Sequence, residues 1–134
     1  MKVHESEFLT LSVFKEEKLI EVTWKMASAR MSVRQFKEEF LNYLKIILEF
    51  RPQKNISDTR EMQFLITPSL QEWTNEHIFP VSLEIGLNKV AMVVSKALIS
   101  QISIEQTMEE AGGKKFITRY FEDKAAAMNW ILSV

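Results

Sequence analysis

The chain reads as an α/β domain, with a single mixed sheet of about five strands and about four helices in the order ββαβαβαβα. Three observations carry this. Two alternating apolar segments at the start are separated by a charged tetrapeptide, as in a hairpin. Helix-start signals then alternate with short β-branched runs, the pattern of a sheet with crossover helices. Residues 90–94, Val-Ala-Met-Val-Val, are apolar without alternation, as expected of a strand covered on both faces. With 134 residues and 46% hydrophobic content the chain can bury one core, so a single domain over 1–134 is expected.

The elements follow in order. In residues 8–14, Leu9, Leu11 and Val13 share a face, and in 19–24 Ile20, Val22 and Trp24 do. Lys15-Glu16-Glu17-Lys18 is the turn between them, and His4 falls in a frayed terminus ahead of them. Ser32-Val33-Arg34-Gln35 has the spacing of a capping box, which predicts a long helix. Phe36, Phe40, Leu44, Ile47 and Leu48 form its apolar stripe. Glu38, Glu39 and Glu49 mix with Lys and Arg as on a solvated face, and Pro52 ends the pattern. Residues 55–73 give a short strand, a loop and a helix start, with Thr67 as N-cap and Pro68 in the first turn. This helix stops before Pro80. A third helix at roughly 97–111 buries Leu98 and Ile102 and ends at Gly112-Gly113. A strand over 116–121 and an Asp123-capped helix with Ala127, Trp130 and Ile131 complete the chain.

Composition narrows the function classes. A formal charge of -1 leaves no electrostatic footprint for nucleic acid. The absence of cysteine removes disulfides, thiolate nucleophiles and zinc-cysteine sites, which suits a reducing, cytoplasmic setting. No apolar run approaches the roughly 20 residues of a membrane span, although an apolar face on the third helix leaves peripheral membrane contact open. His4 and His77 have no partner at metal-ligand or general-base spacing, so no metal is expected. The three glycines form neither a phosphate loop nor a Gly-x-Ser-x-Gly elbow. A non-catalytic protein without cofactor is expected.

Asp58, Thr59 and Arg60 stand at the carboxyl end of a strand, where open α/β sheets bind ligands. The competing reading is a turn in which Asp58 bonds loop N–H groups and Arg60 pairs locally. Thr67 and Ser69 at a helix start could take a phosphate; the competing reading is that Thr67 simply caps the helix. Phe64, Trp73, Leu98 and Ile102 are the side chains that would line an apolar pocket between the second and third helices, unless they pack as core.

The order of elements, together with Asp58-Thr59-Arg60, Thr67-Pro68 with Gln71 and Trp73, and residues 85–91 (Ile-Gly-Leu-Asn-Lys-Val-Ala), resembles small SpoIIAA-like (STAS/SEC14-type) bacterial proteins. Residues 103–107 (Ser-Ile-Glu-Gln-Thr), 119–123 (Arg-Tyr-Phe-Glu-Asp), Ala127 and Trp130 extend the resemblance over nearly the whole chain. It implies a bacterial domain without enzymatic activity that regulates by protein contact, or holds a small apolar, lipid-like ligand, as monomer or homodimer. Anti-sigma-factor antagonists of that family carry a phosphorylatable serine in an Asp-Ser-Ser-Gly run. Here Ile66-Thr67-Pro68-Ser69 occupies that place, and no phosphoacceptor carries over. A phosphorylation switch at Thr67 or Ser69 stays as a third alternative, behind the interaction module and the carrier.

Overall fold

The structure, a computed structural model, describes residues 1–95 and 98–133, without the side chains of 98–100. One mixed sheet holds six strands in chain order: β1 Lys2–Glu5, β2 Leu9–Phe14, β3 Leu19–Trp24, β4 Lys54–Asp58, β5 Lys89–Val93 and β6 Ile117–Phe121. The first three are antiparallel and β3 to β6 are parallel. The helices are α1 Val33–Phe50, α2 Pro68–His77, α3 Phe79–Glu84, α4 Leu98–Glu109 and α5 Lys124–Ile131, with 3-10 turns at Met26–Arg30 and Gly113–Lys115.

Three helix starts form as the sequence predicts. Ser32 Oγ accepts from Gln35 N at 3.1 Å while Ser32 N donates to Gln35 Oε1 at 2.9 Å, closing the capping box. Thr67 caps α2, and Asp123 caps α5.

Several expectations are corrected. The sheet has a sixth strand, because His4 is not frayed: β1 pairs with β2, and Val13 N donates to Met1 O at 2.8 Å. Lys-Val-His-Glu has no strand pattern of its own, and the ladder to β2 creates the strand. The second helix does stop before Pro80, at His77, but a further short helix, α3, follows with Pro80 in its first turn. Gly112 and Gly113 do not form a left-handed cap, since Gly112 has φ -73°. They are glycines for space: a Cβ at Gly113 would lie 2.6 Å from Met108 O, and one at Gly112 2.9 Å from Asn75 O. In α1, Phe36 and Ile47 are buried and Phe40 and Leu44 half-buried, but Leu48 is exposed and Glu39, expected on the solvated face, is 5% exposed. In α4, Ile102 is 45% exposed, and the buried face carries Ser103, Ile104, Thr107 and Met108. Thr107 Oγ1 donates to Ser103 O at 2.8 Å, and this bond to the preceding turn lets a hydroxyl face inward.

Two cores result. One sheet face presents Leu9, Leu11, Val13, Ile20, Val22 and Trp24 to Phe36, Ile47, Leu70, Ile104 and Met108 of the helices α1, α2 and α4. The other is smaller, with Leu19, Ile56, Ala91 and Val93 against Ala127 and Ile131 of α5. Strand β5 is therefore covered on both sides, as its unbroken apolar run predicts.

Candidate functional site

Strand β4 leads into the loop of residues 59–67, and the polar residues singled out in the sequence sit at this junction. The Arg60 guanidinium clamps Asp58 through Nε to Oδ1 at 3.0 Å and Nη2 to Oδ2 at 2.7 Å, and Arg60 N adds a bond to Oδ1 at 3.2 Å. Burial pushes the Asp58 carboxyl up, but Arg60, with Lys124 more weakly, outweighs it and holds the group below its ordinary range. Thr59 spends both its N–H and its hydroxyl on Val93 O, each at 2.8 Å, and so ties the strand end to β5. An open cleft lined by Thr23, Trp24, Asp58, Arg60 and Glu61 faces this pair.

The loop is pinned rather than free. Gln63 N donates to Ser28 Oγ at 2.9 Å, Ile66 N to Ser103 Oγ at 3.2 Å, and Gln71 Nε2 to Ile66 O at 2.9 Å. Met62 and Ile66 are buried by this anchoring. Phe64 stacks on Phe36 with centroids 5.1 Å apart, and Trp73 meets the same ring edge-on at 6.4 Å. Lys37 Nζ lies 5.4 Å from the Trp73 ring, which fixes Trp73 in the seam between α1 and α2. Leu65, by contrast, is 51% exposed, and Leu65 and Ile102 each stand one residue from the Ile66–Ser103 bond. Thr67 and Ser69 are exposed; Thr67 Oγ1 accepts the capping bond from Leu70 N at 3.4 Å. The Leu98 side chain lies outside the described residues.

A cavity of about 90 Å³ lies elsewhere, between the sheet and the helices. Of the residues named from the sequence Thr59 lines it, whereas Phe64, Trp73 and Ile102 do not. Its walls are mostly apolar, but β4 turns Asn55 and Ser57 into it. Tyr43 Oη donates to Asn55 Oδ1 at 2.8 Å, and Asn55 Nδ2 to Ser57 Oγ at 2.8 Å. Burial pushes the Tyr43 phenol far up, so it stays protonated as a donor. Thr74 and Ser82 line it too, each hydroxyl donating to the carbonyl four residues earlier. At its rim Glu39 Oε1 lies 3.1 Å from His4 Nε2 and accepts from Asn42 Nδ2 at 3.2 Å, while the Ser6 hydroxyl donates to Oε2.

Sequence reasoning missed this inner set. A signal for Glu39 was present: it stands three residues after Phe36 and four before Tyr43, on the buried side of α1. Asn55 and Ser57 alternate with Ile56 and Asp58, which marks them as sharing a face without saying which layer covers it.

Among the described residues no three His, Asp or Glu gather as a metal-ligand group, and no helix is long and apolar enough to cross a membrane. No family model, no curated protein and no solved structure matches the chain.

Proposed function

We propose that the chain is a cytoplasmic, non-catalytic, STAS-like domain that regulates by binding another protein through the 59–67 loop and the adjoining part of α4. One contrast carries the reading. Phe64 and Trp73, the side chains a carrier needs around its ligand, pack against Phe36, while their neighbours Leu65 and Ile102 face outward. Arg60, exposed near the start of the same loop, gives it a polar end, and a contact patch usually joins an apolar centre to such a polar border. The cavity of about 90 Å³ weighs against a lipid-like cargo, since pockets for such ligands run to roughly 300 Å³ and more.

The test places a photo-crosslinking amino acid at Leu65 and, as a control, at the exposed Leu48 of α1, in the cells of origin. A discrete protein adduct from position 65 and none from 48 is expected, with the purified chain showing its bare mass in native mass spectrometry. Equal labelling at both positions, or a retained apolar small molecule, would overturn the reading.

A further inference from the structure

The two edges of the sheet are built differently. Strand β1 has four residues and an irregular register between Lys2 and His4. Charges guard it: Lys2 Nζ pairs with Glu5 at 2.7 Å and Lys25 Nζ with Glu5 at 2.9 Å, and these two lysines hold the Glu5 carboxyl down at about 2. Short length, a bulge and charges are the devices that stop an edge from pairing with another chain.

Strand β6, Ile-Thr-Arg-Tyr-Phe, has none of the first two and a single charge. Ile117 is 60% exposed. Arg119 is drawn back from the edge, its guanidinium carbon 5.6 Å from the Phe121 ring centre and 5.5 Å from that of Trp130. On its inner side β6 is bonded to β5, with Ile117 N donating to Asn88 O at 2.7 Å and Val94 N to Phe121 O at 2.8 Å. Backbone groups alternate in direction along a strand, so Thr118 and Tyr120 present their N–H and C=O groups outward.

The flanks of the strand are opposite in sign. Lys114 and Lys115 precede it and Glu122 and Asp123 follow it, all exposed. Among the described residues Lys114, Lys115 and Glu122 make no ion pair. If a second copy meets this edge across a two-fold axis perpendicular to the sheet, the strands run antiparallel. In that register Lys115 of each copy faces Asp123 of the other, the lysine end of one strand lies beside the acidic end of its partner, and Ile117 of each approaches Phe121 of the other on the α5 face.

We propose that β6 is a self-association edge: two copies of this chain pair β6 antiparallel, through the outward groups of Thr118 and Tyr120, and join two sheets of six strands into one. In the sheet β6 lies two strands from β4, the strand that leads into the 59–67 loop. Arg119 faces its own counterpart near the axis and limits the affinity; its retreat over Trp130 eases that conflict.

Sedimentation equilibrium of the full chain over a concentration series tests this. The wild type is expected to dimerise. Lys114→Glu with Lys115→Glu, and separately Glu122→Lys, should each weaken the dimer by roughly tenfold or more through like-charge contacts. Mixing the two variants should restore it, because the lysines and acids are then complementary across the heterodimer. Arg119→Thr should tighten it. Thr118→Pro removes an outward N–H while sparing the β5 ladder, and should give a folded monomer by circular dichroism. A wild type that stays monomeric up to millimolar concentration, or a dimer indifferent to both charge reversals, overturns the proposal.

Discussion

Strand β4 holds two polar groups that behave in opposite ways. At its carboxyl end Asp58 and Arg60 are two residues apart, bond each other in a fork, and leave the guanidinium largely in water. In its middle Asn55 and Ser57 face the helices, where Tyr43 arrives from twelve residues away and Glu39, at the same interface, draws His4 and Ser6 from the first strand and its turn. The outer group is made by neighbours along the chain and would survive much loosening of the fold. The inner groups exist only when the sheet and α1 have packed. A dense cluster of polar letters can thus be a self-contained turn, while dispersed polar letters hold elements together.

Breaking the inner groups should therefore cost most. Glu39→Ala leaves His4, Ser6 and Asn42 without their acceptor in a buried setting, and is expected to lower unfolding free energy by about 3 kcal/mol in urea titration. A loss no larger than that from Asp58→Asn would erase the contrast. Asn55→Ala strands the Tyr43 hydroxyl and Ser57, and should cost about 2 kcal/mol; adding Tyr43→Phe should recover part of it in a double-mutant cycle.

Alkaline pH sharpens the comparison. The folded Tyr43 phenol sits above its unfolded value near 10, so its contribution is complete below that pH and declines as pH rises beyond it, by up to about 1.4 kcal/mol per pH unit. Tyr120, pushed up to about 12 by burial and then by Glu105 and Glu109, has the same sign. In a Tyr120→Phe background, Tyr43→Phe should flatten the remaining slope in unfolding measured between pH 9 and 11.

The outer pair should give the smallest effect. Asp58→Asn is expected to cost about 0.5 kcal/mol near neutrality, because Arg60 is solvated. Its signature lies on the acid side: a carboxyl held low contributes above the unfolded value near 4 and loses that contribution as pH falls below it. The variant should lack that part of the acid transition, as followed by tryptophan fluorescence.

Much of the chain was legible from local pattern. The hairpin of β2 and β3, the capping box before α1, the Thr-Pro start of α2 and the doubly covered β5 all rest on contacts within a few residues or on one-dimensional periodicity. Asp58, Thr59 and Arg60 were placed at a strand end for the same reason. Ile102 was misplaced because its helix turns hydroxyls inward, which hydropathy alone reads as outward. His4 and Glu39 were misread because each depends on the other across 35 positions.

The sequence by itself determined the α/β class with one mixed sheet and its main helix starts and strands, since these follow from propensity, capping and periodicity. The tertiary structure alone decided that β1 completes the sheet, that Glu39 is buried, that Asn55 and Ser57 line the cavity while Phe64, Trp73 and Ile102 do not, and that β6 is left as an edge. Those outcomes depend on which surfaces meet. Hydrogen bonding and burial are settled at that meeting, between residues the chain keeps far apart.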